Sequence, residues 1–251
     1  MTITQEEELE AMKAISEVVA KVYKTMRDAI QPGMSAKELD ELGGEVMKKC
    51  GALSAPKTSY KFPGYTCISV NHEVAHGIPK AGKIFKNGDL VNIDVSASMN
   101  GYFSDNGGSF ILGEDIQGLT PLVDASRTIL YKAINEIKGG VKISDIGRLI
   151  ETEAKKEGYK VIRNLVGHGI GRALHEEPRE IPCYHDRMNL KRFKKNSVVA
   201  LETFISTGAS QAVEAGDGWT LHARNHFVAQ HEHTILITDS KPIILTIDNG
   251  I

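Results

Sequence analysis

Apolar residues recur at helical intervals near the start of the chain. Leu9, Met12, Ile15, Val18, Val19, Val22 and Met26 share one face, behind Thr4 and Glu7 at the spacing of a capping box. This predicts an amphipathic helix, stopped by Gln31-Pro32-Gly33. Ser35 and Glu38 repeat the cap spacing ahead of Leu39, Leu42 and Val46, with Gly51 at the far end. A second pair of helices is expected further on. Pro121 opens one carrying Leu122, Ala125, Ile129, Ala133 and Ile137, closed by Gly139-Gly140; Ser144 is expected to cap another that runs to Gly158. Strand-like segments follow each pair. The plan reads as a duplicated helix-helix-strands unit, its halves related by a pseudo-two-fold, although two unrelated α+β units would give the same composition. No linker or low-complexity stretch divides the chain, which predicts a single domain over residues 1–251.

The strands alternate differently. In VNIDVSAS (91–98), Val91, Ile93, Val95 and Ala97 take one face and Asn92, Asp94, Ser96 and Ser98 the other. Asn100-Gly101 is a strong hairpin signal. A loop of those two residues sets Met99 opposite Tyr102 and Ser96 opposite Asp105. Asp94 and Asp105 then become diagonal neighbours on one face, about 7–8 Å apart. Two further strands carry an acid inside an apolar run: Glu202 in VVALETFIS (198–206) and Glu232 in AQHEHTILI (229–237). No Lys or Arg lies within three positions of either glutamate. His231 and His233, flanking Glu232, are expected on the opposite strand face.

Composition narrows the class. A chain of 251 residues with a net charge of −2 can bury one large core, and it favours neither nucleic acid nor an anionic membrane as partner. No apolar run is long enough to cross a bilayer. The acidic, helix-forming start is not that of a signal peptide. Three cysteines, Cys50, Cys67 and Cys183, argue against a disulfide framework and for a reducing cytoplasm.

The candidate chemistry comes from the acids together with GHGIGRALHEEP (167–178). That segment sets His168 and His175 among Gly167, Gly169, Gly171 and Pro178, which excludes an ordinary core helix. A glycine-flanked turn would let His168 approach a ligand closely. Asp94, Asp105, Glu202 and Glu232 carry four negative charges, which two divalent cations balance. With one neutral imidazole, from His168, they form the donor set of an oxygen-rich two-metal hydrolytic site. Two competing readings stay open at this point: unrelated acids on a solvated face, and acids held by salt bridges to distant Lys or Arg.

The same stretches carry a resemblance. CISVNHEVAHGIP (67–79), NIDVSASMNGYFSDNG (92–107), GHGIGRALHEEP (167–178), ALETFIS (200–206), DGWT (217–220) and AQHEHTILIT (229–238) resemble, in this order, the type I methionine aminopeptidases of the pita-bread fold. The match spans nearly the whole chain. The resemblance implies an α+β pita-bread fold with duplicated halves and a metal site on a central antiparallel sheet. It implies two divalent ions, Co, Mn, Fe or Zn. Asp94 is then a ligand of one metal, Asp105 and Glu232 bridge both, and His168 and Glu202 bind the second. Glu202 also shuttles a proton. His175 steadies the oxyanion, and His76 lies near the scissile amide. Cys67, Tyr60, Phe62 and Trp219 line the side-chain pocket. The implied reaction is removal of an N-terminal methionine, ahead of a small second residue, from peptides and nascent chains, by a cytoplasmic monomer.

Several positions depart from the family pattern: Asn106 and Thr203, where threonine and proline are familiar, Leu174 before His175, Ala75 before His76, and the whole segment 58–65. They are expected to touch the pocket and the surroundings of the metals, altering rate, metal preference and inhibitor response but not reaction class. His72, His185, His222 and His226 read as surface or loop residues. The basic stretch LKRFKKN (190–196) reads as a solvated loop, with a transient ribosome contact as its alternative. A metal-free binding protein and a proline-specific peptidase are the competing functions.

Overall fold

The computed structural model describes residues 1–251. In chain order the elements are α1 (Glu6–Ala29), α2 (Ala36–Lys49), β1 (Leu53–Ser54), α3 (Ala55–Tyr60), β2 (Cys67–Val70), β3 (Glu73–Ala75), β4 (Leu90–Met99) and β5 (Tyr102–Ile111). There follow α4 (Thr120–Glu136), α5 (Ile143–Lys156), β6 (Lys160–Val161), β7 (Val166–Gly169), β8 (Glu176–Pro182), β9 (Val198–Ser206), β10 (Val213–Glu214), β11 (Leu221–His222), β12 (Val228–Leu236) and β13 (Ile243–Ile244).

The central sheet is antiparallel and ordered β1-β4-β5-β12-β9-β7-β8, with β2 against β4, β6 against β9 and β13 against β12. A small sheet, β10-β11-β3, stands apart. Helix α1 packs on β4 and β5, whereas α4 packs on β9 and β12. The apolar side chains fall into two cores of 27 and 30 buried residues, near-equal halves as the duplicated plan predicts. The β5–β12 pairing lies in the middle of the sheet.

Local signals mostly act as read. The Ser35–Glu38 capping box forms, with Ser35 Oγ accepting from the Glu38 N–H and Glu38 Oε2 accepting from the Ser35 N–H. The hairpin turns at Asn100 and Gly101, both with positive φ, and pairs Met99 with Tyr102 and Ser96 with Asp105. Two caps are corrected. Thr4 and Glu7 do not cap α1: Gln5 is its N-cap, and the Thr4 N–H and hydroxyl donate instead to Glu8 Oε2, at 2.8 and 3.1 Å. Ser144 does not cap α5. A bridge between Lys142 and Arg192 keeps the chain extended up to Lys142, so the helix begins at Ile143 and Ser144 is buried in its first turn.

Candidate metal centre

Register across the sheet explains how acids from distant parts of the sequence meet. Cys67 pairs with Asp94, Asp94 with Gly107, Gly107 with Glu232, and Glu232 with Glu202. These five residues form one row across β2, β4, β5, β12 and β9. Paired residues face the same side of a sheet, so three carboxylates and a thiol project into the same space. Gly107 leaves a gap in the row, which Gln230 fills; a Cβ at Gly107 would lie 2.9 Å from Gln230 Oε1. Asp105, two residues from Gly107, adds its carboxyl on the same face.

His168 arrives from β7, opposite Ala200 of β9. It does not sit on a turn, contrary to the expectation from its flanking glycines. The glycines serve strand packing: a Cβ on Gly167 would lie 2.6 Å from Ala200 O, and one on Gly169 only 2.3 Å from Glu177 O. Donor atoms of Asp105, His168 and Glu232 all lie within 4.8 Å of one another. His168 Nε2 is 3.9 Å from Asp105 Oδ2, and its Nδ1 lies 3.0 Å from Gly169 O. Asp94 and Glu202 are not in that tight trio, but they line the same cleft.

The cleft has a volume of about 280 Å3. Its polar wall is Asp94, Ser96, Asp105, His168, Glu202 and Glu232, flanked by His76 and His175. Its apolar end is Pro56, Tyr60, Phe62, Cys67, Leu174 and Trp219. Phe62 and Trp219 meet edge to face at 5.2 Å, so tryptophan both packs and forms wall. His76 has a left-handed backbone, φ 54, just after β3, and such non-glycine strain is concentrated at functional positions. A second hollow of about 190 Å3 shares His76, Asp94, His168, His175 and Glu202 and continues past Ala75, Asn164, Phe204 and Gln230.

The electrostatics are those of a site built for cations. Burial raises all four carboxyls. Asp94 is pushed up to about 6 by desolvation, a hydrogen bond from Asp105 working the other way. Asp105 is raised well above its usual range by desolvation and then by Glu232 and Asp94. Glu202 and Glu232 are raised by desolvation and then by their acidic neighbours. Burial, helped by His175, pulls His168 down to about 3, leaving a neutral imidazole. Asp105 Oδ1 and Glu232 Oε1 are buried and accept no hydrogen bond. Orphaned carboxylate oxygens are costly unless a cation or proton joins them. Hard oxygen donors plus one neutral imidazole fit divalent metal ions. No Lys or Arg pairs with any of the four acids, and the one imidazole beside Asp105, His168, is held neutral, so neither salt bridges nor a solvated face accounts for them.

Some contacts had no sequence signal. Gln230 Nε2 donates to Glu232 Oε2 at 3.0 Å, and Asn92 Nδ2 donates to Gln230 Oε1 at 2.7 Å. Tyr60 Oη lies 2.6 Å from His175 Nδ1. The departures at Asn106 and Thr203 do not touch the cleft. Both face the other side of the sheet, where Asn106 bonds Val95 O and Asn249, and Thr203 bonds Ser126 and His231 O. Among the positions singled out as unusual, Leu174, Ala75 and the 58–65 segment reach the two hollows.

Residues 10–239 match the sequence profile of metallopeptidase family M24. A methionine aminopeptidase 2 from Bacillus subtilis (strain 168) is 49% identical over 247 residues, covering 98% of this chain and 99% of its own. A methionine aminopeptidase from Staphylococcus epidermidis (strain ATCC 12228 / FDA PCI 1200) is 42% identical over 248 residues, covering 98% of each. The crystal structure of methionine aminopeptidase from Thermotoga maritima superposes with a TM-score of 0.92 at 38% identity, covering 98% of this chain and 99% of that one.

Proposed function

This chain belongs to metallopeptidase family M24, and from that premise we propose that its cleft, acting as one catalytic domain, holds two divalent cations and removes N-terminal methionine when the second residue is small. The fold is the pita-bread fold of that family, and the reaction class is that of its relatives, hydrolytic release of an N-terminal residue. No helix is long and apolar enough to cross a membrane. The free cysteines suit a reducing compartment, and we place the activity in the cytoplasm, on peptides and nascent chains, as a monomer. What carries the reading is the meeting of five donor side chains, two of them with orphaned oxygens, beside an apolar end in one cleft.

Asp94 and Asp105 from the hairpin, His168, Glu202 and Glu232 would hold the metals. Bound there, the cations supply Lewis acidity and lower the pKa of water toward neutrality. The rest falls to the chain. Phe62, Cys67, Leu174, Trp219 and the Tyr60 ring take an unbranched thioether side chain, for which adaptable apolar packing suffices. Glu202 accepts the proton of the attacking water at a carboxylate oxygen and passes it to the leaving amine. His175 donates to the oxygen that gains charge. His76, which lines the same cleft, holds the scissile amide. The second hollow, bounded by Phe204 and Gln230, is where the second residue would enter.

The test is kcat/KM for Met-Ala-Ser against Met-Lys-Ser, Leu-Ala-Ser and Ala-Pro-Ser with added metal. Met-Ala-Ser should lead, by about 10–200-fold over the leucine peptide. A lead for Ala-Pro-Ser would make the enzyme proline-specific. No turnover with metal bound would make it a binding protein.

A further inference from the structure

Tyr60 enters the cleft with two features that a pocket wall does not need. It is the last residue of α3, 46% exposed, and its hydroxyl lies 2.6 Å from His175 Nδ1. Its place is firmly set. Ser54 caps the helix by accepting from the Lys57 N–H, Pro56 opens it, and Lys61 closes it in a left-handed conformation. β1, just before, is paired to β4 at Ala97 and Ser98. Through β1, the helix that carries the phenol is thus anchored to the strand that carries Asp94.

His175 is held from its own side. Glu176 Oε1 accepts from the N–H groups of Arg172 and Ala173, fixing the turn that presents the histidine. The imidazole lies against the His168 ring, 4.1 Å between centroids, and tilts to the Tyr60 ring at 5.6 Å. Nδ1 is its one nitrogen with a protein partner.

We propose that Tyr60 is a positioning residue: its phenol donates to His175 Nδ1 and so fixes the tautomer that carries its proton on Nε2, toward the cleft. The chemistry of the two groups favours this direction. A phenol O–H is the stronger donor and the lone pair of an imidazole nitrogen the stronger acceptor across this 2.6 Å contact. A neutral imidazole has one donor and one acceptor nitrogen, so an occupied acceptor at Nδ1 leaves the donor at Nε2. That is the form able to donate to a developing oxyanion. The inference rests on the reading of His175 as that donor, and it moves Tyr60 from the pocket wall to the support of its neighbour.

The experiment uses the full chain with 15N-labelled histidine, chelator-treated and Zn2+-loaded, near pH 8. In the wild type the protonated ring nitrogen of His175 should be Nε2, identified by coupling to both ring carbon protons, with a hydrogen-bonded bare Nδ1. In Tyr60→Phe the two nitrogen signals should move toward each other as the tautomers mix. Kinetically, Tyr60→Phe should lower kcat about 3–10-fold with KM for Met-Ala-Ser unchanged, as loss of one hydrogen bond predicts. In a His175→Ala background the same change should do nothing further. A proton on Nδ1 in the wild type, or identical nitrogen signals in Tyr60→Phe, overturns the proposal. So does a rise in KM at constant kcat, which marks a plain wall. If His175→Ala keeps full kcat, the oxyanion reading fails while the tautomer result stands or falls by itself.

Discussion

His231, Glu232 and His233 follow one another on β12, are all buried, and alternate between the two faces of the central sheet. On the back face, His233 has both nitrogens engaged, Nδ1 with Thr246 Oγ1 at 2.9 Å and Nε2 with Tyr131 Oη at 3.0 Å. Where the back face leaves a polar atom without a partner, the group is neutral. His231, with Nδ1 unpaired, is held down to about 3 by burial and by Arg127, and the Tyr23 phenol is raised by burial. On the front face the unpaired atoms belong to acids, Asp105 and Glu232, set among Asp94 and Glu202. An unpaired neutral group costs a little; clustered acids without a counter-charge cost much more. The back face is finished by the chain alone, whereas the front face is completed by something the chain must bind.

Removing metal breaks the comparison most severely. Chelation should abolish peptide hydrolysis, while the two apolar cores keep the far-UV circular dichroism of the fold. Full activity in a chelated, metal-verified sample would sink the two-metal proposal. The pH dependence has a definite sign. Asp94 is raised from 3.8 to about 6, so in metal-free protein its contribution to stability is complete below its unfolded value and is lost as pH rises through the folded one. The other three acids are raised in the same direction. Bound cations favour the ionised carboxylates and reverse this. The gap in Tm between loaded and chelated protein should therefore widen from about pH 5 to about pH 7.5. His168, held down to about 3, stays neutral across that window and does not offset the change.

The two front-face histidines sharpen the comparison within one site. His175→Ala should reduce kcat by on the order of 10²–10³ and leave metal stoichiometry unchanged, because it removes a donor to charge that develops only in the transition state. His168→Ala should instead lower metal loading, measured by elemental analysis after dialysis. Equal stoichiometry and equal kinetics in the two variants would end that division of labour.

How much of this was legible in the chain depends on how far apart the partners lie. The Asp94–Asp105 relation was readable because a two-residue Asn-Gly loop fixes register locally. The meeting of Glu202 with Glu232, and of Glu232 with Gly107, depends on strand pairings that no local signal specifies. There the resemblance to known sequences supplied what periodicity could not. The α1 cap was misread because helix and entering chain settled on Glu8, one residue past the box spacing. The α3 helix was not foreseen, since six residues containing Pro56 show no helical period. Strand alternation is the most reliable signal, and it governs the unusual residues as well. Asn106 and Thr203 each adjoin a site acid in sequence, so each must face away from it.

The smallest expected effect follows from that alternation. Asn106 is buried on the back face, where its Nδ2 donates to Val95 O at 3.2 Å and its Oδ1 accepts from Asn249 Nδ2 at 2.9 Å. Asn106→Thr restores the residue more familiar in this family. Threonine suits a strand, but its single hydroxyl cannot reproduce both contacts of the amide, and Asn249 loses its acceptor. Urea unfolding should show a loss of about 1 kcal/mol. Because the side chain points away from Asp105, kcat should stay within about twofold and the metal content should not change. A tenfold fall in kcat or an altered metal preference would mean that strain passes through β5 to Asp105, and the two faces would no longer be separable. The outcome expected is a protein slightly easier to unfold whose active face is unaware of the change.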